Sequence, residues 1–359
     1  MELYEITQML PKDIDGGIIE NPASRQYFTG FTADNGYLIV SKNGNVFLTD
    51  SRYIEAAQAQ VDCCDVVLLT DAKVQIPKYL KKFNCSNVAL EANYVTVSGL
   101  REYSKMFKAE SFNAVFDSRF DKWIRYLRCA KNEEEVKNIK AAQTIANAAY
   151  ENAIRYIQPG MTEREVALAL DFHMLRNGAE KVSFDTIVVS GKKTSQPHGV
   201  PTDKKIEFGD FVTMDFGAVV NGYHSDMTRT VAIGEASDAM AEVYGIVLEA
   251  QQAAIEKAAA GVAAKDVDAA ARNIIDEAGY GKYFGHSTGH GVGVEIHEDP
   301  TVSLKSDYIL REGNVITAEP GIYIPEKFGV RIEDMLLITV DGCENLTSTP
   351  KELTVIHNQ

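Results

Sequence analysis

The pair Asn221-Gly222 constrains this chain more than any other feature. It lies between two runs that read as strands: Asp210-Phe211-Val212-Thr213-Met214-Asp215-Phe216-Gly217 extending to 219, and Tyr223-His224-Ser225-Asp226 extending to 233. Both residues tolerate the positive φ of a tight hairpin turn, so the pair predicts two antiparallel strands, 211–219 and 223–233. A turn centred there makes paired residue numbers sum to 443. Asp215 then faces Thr228, and Asp226 faces Gly217. Cross-strand partners share a face, and so do residues two apart on one strand. Asp215 and Asp226 are therefore diagonal neighbours, and Gly217 is expected to leave room between their carboxylates. Two carboxylates on one face repel unless a cation or proton intervenes. The bland alternative is two aspartates on a solvated hairpin.

At 359 residues the chain is long enough for two domains. Residues 36–49 predict a hairpin around Asn43-Gly44-Asn45. A helix over 54–60, a strand over 66–69, a helix over 76–83 and a strand over 87–90 follow, giving a small α/β unit over roughly 1–120. The pattern then changes. Asn132 with Glu135 reads as a capping box, and apolar residues recur at helical spacing from Val136 to Ile157 before Pro159-Gly160. Thr162 with Glu165 caps a second helix running to about Arg176. Ala-rich helices are expected over 238–259 and 265–278, with strands over 184–189, 314–319 and 330–339. These readings put the boundary near residues 120–130 and divide the chain into domains 1–125 and 126–359, the second α+β.

The net charge is −15, from 36 basic and 51 acidic side chains, which argues against a nucleic-acid binder. No basic leader with an apolar core is read at the N-terminus, and no apolar run is long enough for a membrane span. Five cysteines at irregular spacing, without a CxxC, predict reduced thiols and a cytoplasmic protein.

Two further clusters carry chemistry. Phe284-Gly285-His286-Ser287-Thr288-Gly289-His290-Gly291-Val292-Gly293-Val294-Glu295-Ile296-His297-Glu298 holds three histidines among glycines. His286 and His290 have zincin spacing, but Ser287 stands where that motif needs Glu, and the glycines oppose a helix. Thr317-Ala318-Glu319-Pro320-Gly321-Ile322-Tyr323 places Glu319 at the end of an apolar strand. Downstream, Val330-Arg331-Ile332-Glu333-Asp334 reads as part of a strand running to Val340, with Arg331 and Glu333 on one face; a buried Arg–Glu pair is the plain alternative. Together the clusters offer four carboxylates and one imidazole: Asp215, Asp226, His290, Glu319 and Glu333. Two divalent cations would neutralise that set. Its hard oxygen donors favour Mn²⁺, with Co²⁺ or Zn²⁺ as alternatives. Two ions about 3.5 Å apart can share and activate a water.

These motifs, in this order and spacing, resemble the Xaa-Pro peptidases of the pita-bread metallopeptidase family: Xaa-Pro aminopeptidase (aminopeptidase P) and Xaa-Pro dipeptidase (prolidase). Asn21-Pro22-Ala23-Ser24-Arg25-Gln26-Tyr27-Phe28-Thr29-Gly30-Phe31 and Phe47-Leu48-Thr49-Asp50-Ser51-Arg52-Tyr53 look like a creatinase-type N-terminal domain. The resemblance implies a pita-bread catalytic domain behind a smaller α/β creatinase-type domain. It implies that Asp215, Asp226, His290, Glu319 and Glu333 ligate two metal ions. His198, in Gln196-Pro197-His198-Gly199-Val200-Pro201, and His297 match histidines that hold substrate and stabilise the transition state. His286, Tyr323 and Arg331 match substrate-shaping positions around them. Lys193 stands where many relatives carry Asn.

The implied enzyme is a cytoplasmic metallo-exopeptidase, a homodimer by analogy. A metal-bridged hydroxide would attack the carbonyl of residue one, Glu319 would act as general base, and the proline nitrogen would leave. The reading leans to an aminopeptidase P-like enzyme acting on peptides with proline second, with a dipeptide-restricted prolidase as the alternative. A methionine aminopeptidase, creatinase or a non-catalytic pita-bread binding protein fits less well. The first usually lacks the N-terminal domain, and the other two have lost ligand residues that this chain keeps.

Overall fold

The computed structural model describes residues 2–357. It divides into two compact units, Met1–Arg128 and Cys129–Gln359. No described helix is long and apolar enough to cross a membrane, and all five cysteines are free thiols.

The first unit carries helices α1 (Glu2–Met9), α2 (Pro22–Thr29), α3 (Ile54–Gln60), α4 (Ala72–Lys82), α5 (Val97–Glu110) and α6 (Arg119–Cys129). Its strands are β1 (Gly16–Ile19), β2 (Tyr37–Ser41), β3 (Val46–Thr49), β4 (Asp65–Leu68), β5 (Asn87–Leu90) and β6 (Asn113–Val115). They form one mixed sheet ordered β4-β3-β2-β1-β5-β6. The Asn43-Gly44-Asn45 turn joins β2 to β3 as expected. Helices α1, α2, α5 and α6 and strands β1 and β6 add to the elements expected from the sequence. The Asn-Pro start of α2 was the available signal: the Asn21 side chain accepts from the amides of Ala23 and Ser24, and Pro22 stands at the first helical position.

The second unit begins with α7 (Glu133–Tyr156) and α8 (Glu163–Arg176), each opened by the capping box its sequence predicts. α7 buries Ala142, Ala146, Ala149, Tyr150 and Ala153, one face at helical spacing, and the small side chains let it lie close to its neighbours. Next come β7 (Lys181–Val182), β8 (Ile187–Ser190), β9 (Phe211–Phe216), β10 (Ala218–Val220), β11 (Tyr223–His224) and β12 (Met227–Ile233). Helices α9 (Asp238–Lys257) and α10 (Ala264–Glu277) follow. The chain then supplies β13 (Gly289–Gly291), β14 (Glu298–Val302), β15 (Val315–Ala318), β16 (Gly321–Ile324), β17 (Phe328–Arg331), β18 (Asp334–Ile338), β19 (Cys343–Asn345) and β20 (Val355–Ile356).

Two larger sheets organise the unit, one ordered β20-β12-β9-β8 and one β14-β13-β15-β18-β19. α7 and α8 share a core with residues of the first, including Val188, Val212, Met214, Phe216 and Val231. α9 and α10 share a core with Ile316, Ala318, Leu336 and Ile338 of the second. Each helix pair thus covers apolar residues of its sheet, the layered arrangement an α+β pattern requires.

The hairpin register is the predicted one: Thr228 pairs with Asp215, Met227 with Phe216, and Val219 with His224. The strands are interrupted, however. β9 and β10 part at Gly217, and β11 and β12 part at Ser225-Asp226. Gly217 therefore does something other than clear space between carboxylates. A Cβ there would lie 1.9 Å from the Ser225 carbonyl oxygen, so the glycine admits backbone, not a ligand. The expected strand 330–339 is also broken, with Ile332-Glu333 between β17 and β18.

Candidate metal centre and active-site cavity

Each break in a strand releases an acidic side chain from the alternation of a regular ladder. Asp226 lies at the step from β11 to β12, Glu319 just past β15, and Glu333 at the step from β17 to β18. Asp215 stays on β9 and His290 on β13, a strand and not a helix, in keeping with the glycines around it. All five line one cavity of about 530 Å³, with His198, His286, His297 and Arg331. Its wall is completed by Phe184, Ile187, Pro197, Val200 and Pro201, which the sequence did not single out except as neighbours of His198. That volume lies in the range of small-ligand sites, about 300–1,000 Å³.

The tightest group is Asp226, His290 and Glu333, whose donor atoms lie within 4.8 Å of one another. His290 Nε2 is 3.6 Å from Asp226 Oδ2 and 3.4 Å from Glu319 Oε1. His290 Nδ1 sits 3.0 Å from the Gly291 carbonyl and must donate its hydrogen there, which turns the lone pair of Nε2 toward the carboxylates. Burial holds the ring neutral, lowering its pKa to about 4.

The carboxylates are under electrostatic stress. Burial first, then repulsion from Glu333, Asp215 and Glu319, pushes Asp226 well above the usual carboxylate range. Burial and the charges of Glu319 and Asp215 do the same to Glu333. Glu319 is pushed up to about 8, chiefly by burial. Asp215 Oδ1, Asp226 Oδ1 and Glu333 Oε1 are buried without a hydrogen-bond partner. Buried carboxylate oxygens left unsatisfied around one imidazole lone pair are what a cation site presents when only its protein atoms are counted. The residues present therefore fit a divalent metal.

Arg331 and Glu333 do not pair as alternation suggested. Arg331 Nη2 donates to Asp215 Oδ2 at 2.5 Å, Nη1 to the Tyr323 hydroxyl at 3.0 Å and to the Pro197 carbonyl at 3.2 Å, and Nε to Thr228 Oγ1 at 3.0 Å. Glu333 instead accepts from the Thr228 hydroxyl at 2.7 Å. The Tyr323 hydroxyl lies 2.8 Å from His286 Nε2, while His286 Nδ1 faces the Ser287 carbonyl at 2.8 Å. Both nitrogens of His286 are thus engaged, with Tyr323 donating to Nε2; burial lowers the pKa of this ring to about 4. His286 braces Tyr323 and Arg331. His198 and His297 are different: both rings are exposed to the cavity and make no hydrogen bond to a described residue, and His297 packs edge-on against His290 at 4.4 Å.

Other supports had no obvious signal in the sequence. Arg229, fully buried, donates to the Glu333 carbonyl at 2.6 Å and pairs with Asp334 at 2.7 Å, tying β12 to the Glu333 step. Thr317 Oγ1 accepts from the His290 amide at 3.1 Å. These residues are in ordinary strand sequence, and only the tertiary pairing gives them work.

Residues 137–340 match the model of metallopeptidase family M24, and residues 6–128 match that of the creatinase/prolidase N-terminal domain. The chain belongs to metallopeptidase family M24. Its fold is accordingly the M24 pita-bread catalytic domain with a creatinase-type N-terminal domain. It is 42% identical to the Xaa-Pro dipeptidase of Pyrococcus furiosus over 95% of each chain. Among solved M24 structures, it is similar to the Xaa-Pro dipeptidase from Bacillus anthracis, with a TM-score of 0.94, 41% identity and 99% of both chains covered. The X-Pro aminopeptidase from Thermotoga maritima superposes with a TM-score of 0.90 at 39% identity, covering 99% of this chain and all (100%) of that one. The relatives thus support the dipeptidase reading better than the aminopeptidase lean taken from the sequence.

Proposed function

We propose that this M24 metallopeptidase is an Xaa-Pro dipeptidase, cleaving the bond between an N-terminal residue and a following proline. The observation that carries the reading is the convergence of unsatisfied carboxylate oxygens on Asp215, Asp226 and Glu333 with the free lone pair of His290. Asp215, Asp226, His290, Glu319 and Glu333 would hold two divalent ions, Mn²⁺ being the best match to hard oxygen donors. Such ions, when bound, activate water and polarise the scissile carbonyl.

The chain's own residues supply the rest. Glu319, whose Oε1 lies in the cavity 3.4 Å from His290 Nε2, would take a proton from the attacking water and return it to the proline nitrogen as the C–N bond breaks. His198 and His297, with rings free in the cavity, are placed to donate to the carbonyl oxygen as charge develops on it. Arg331 fixes Asp215, and Tyr323 and His286 fix Arg331. Phe184, Ile187, Pro197 and Val200 offer apolar surface for a proline ring. A homodimer and a cytoplasmic location, expected from the sequence, belong to the same proposal.

The test compares turnover of an Xaa-Pro dipeptide with that of an Xaa-Pro-Yaa-Yaa tetrapeptide, in Mn²⁺, by purified protein. A dipeptide kcat/KM at least about tenfold higher supports the dipeptidase, a difference of about 1.4 kcal/mol in transition-state binding. Equal or better cleavage of the tetrapeptide supports the aminopeptidase, the activity named for the Thermotoga maritima relative. No cleavage of either favours a binding protein.

A further inference from the structure

His198 stands on a connection with no helix or strand between the 3₁₀ turn at Gly191–Ser195 and β9. Connections that long need something to fix them if they carry function. The fixing point is Glu163, the first residue of α8, whose side chain is fully buried. Its Oε1 accepts from the Ser190 amide at 2.8 Å and the Ser190 hydroxyl at 3.0 Å. Its Oε2 accepts from Lys193 Nζ at 2.5 Å, the Thr202 amide at 3.0 Å and the Thr202 hydroxyl at 2.7 Å. One carboxylate thus grips the chain on both sides of His198.

Lys193 extends the grip. Its Nζ also donates to the Val200 carbonyl at 3.0 Å, two residues past His198. The α8 backbone contributes too: the amides of Glu163 and Arg164 donate to the carbonyls of Lys204 and Thr202, using amides that a helix start leaves without intrahelical partners. Lys204 Nζ bridges Ser190 Oγ and Asp210 Oδ2, anchoring the far end of the connection. Of the residues in this anchorage only Val200 lines the cavity; Glu163, Lys193, Ser190, Thr202, Lys204 and Asp210 do not. Glu163 is fully buried while the Lys193 side chain keeps 24% of its surface exposed, and such an ion pair is better explained by holding geometry than by adding stability.

We propose that Glu163 and Lys193 form a charge clamp that sets the position of the His198 segment, making both positioning residues for the hydrolysis. The proposal rests on the reading of His198 as a donor to the scissile carbonyl. It also gives a role to Lys193, which reaches Glu163, Val200 and Thr202 at once.

The experiment uses the full-length, Mn²⁺-loaded protein and the variants K193M, K193R, E163Q, H198A and K193M/H198A. Each is assayed on an Xaa-Pro dipeptide, for bound metal, and for hydrogen exchange of a peptide spanning 196–203. K193M is expected to lower kcat about tenfold to hundredfold, as a displaced catalytic group does. Bound metal should be unchanged, exchange in 196–203 faster, and K193R should recover part of the rate. In the H198A background K193M should cost nothing further, because it acts through that ring. Native exchange and full rate in K193M overturn the clamp, as do losses that multiply in the double variant. E163Q should follow K193M where it folds, and K193M decides where it does not. If the wild-type protein cleaves no Xaa-Pro dipeptide, the functional reading falls, while faster exchange in K193M still supports the clamp and native exchange still sinks it.

Discussion

Arg331 Nη2 lies 2.5 Å from Asp215 Oδ2, so a permanent cation already sits against one of the four carboxylates of the candidate metal centre. Arg331 is itself buried, and burial alone would make it easier to deprotonate. The charges of Asp215, Glu319 and Glu333, with the Tyr323 hydroxyl beside it, more than offset that, and the group is held charged. The pair therefore protects the site while no metal is bound.

From this follows an asymmetric effect of Arg331→Met. Without metal, the variant strands Asp215 as a buried charge beside other carboxylates and should lose about 3–5 kcal/mol. With Mn²⁺ bound, the ions take over much of the neutralisation and the loss should be smaller. Chemical denaturation with chelator and with Mn²⁺ checks it; equal losses in both conditions would count against the pairing argument.

Metal uptake should depend on Asp226 and Glu333 jointly, since they and His290 form the tightest group. Saturating Mn²⁺ should raise the thermal midpoint of the wild type by about 4–6 °C, from a linkage of roughly 3 kcal/mol at a hundredfold excess over Kd. Asp226→Asn and Glu333→Gln should abolish the rise and most bound metal. Both variants relieve repulsion in the metal-free site, so neither is expected to lower metal-free stability. Elemental analysis alongside calorimetry reads both quantities.

His198→Ala and His297→Ala should behave differently from ligand variants. Each is expected to lower kcat about 10²–10³-fold, the usual effect of removing a transition-state donor. Bound metal should be unchanged, because neither ring is in the tight group. Loss of metal in either variant would make that histidine part of the centre.

A separate pH dependence belongs to the first unit. Burial raises Glu91 to about 7, above its ordinary value of 4.5, although its Oε2 accepts from the amides of Glu20 and Asn21. A carboxyl with a raised native pKa keeps its proton when the unfolded chain has lost it. Stability from Glu91 is therefore highest below about 4.5 and falls as pH rises to about 7, by a total on the order of 3 kcal/mol. Glu91→Gln should flatten that slope in urea melts between pH 5 and 7. An unchanged slope would assign the proton elsewhere.

Much of this architecture is legible in local sequence. Asn221-Gly222 gives the register that pairs Asp215 with Thr228, and Asn132 with Glu135 and Thr162 with Glu165 mark the starts of α7 and α8. Local signals work there because turn and cap chemistry is decided within a few residues. The strand breaks are not legible. Alternation predicts an unbroken strand through Glu333, whereas the structure turns the chain between two sheets there, a choice made by distant partners such as Arg229 and Thr228. Alternation puts Arg331 on one face with Glu333, its neighbour in sequence, whereas its carboxylate partner is Asp215, 116 residues away. Glu163 reads as one more acidic residue in the first turn of a helix, and nothing near it in sequence reveals its grip on Thr202.

The placement of Glu333 between two sheets has a bearing on biogenesis. The five candidate ligands arrive from three separated stretches, and the last comes from a step that exists only once β17 and β18 have docked into different sheets. An emerging polypeptide offers no partial cage worth occupying. Loading with ions should therefore come after tertiary assembly, and tight uptake would itself report that a molecule has finished folding.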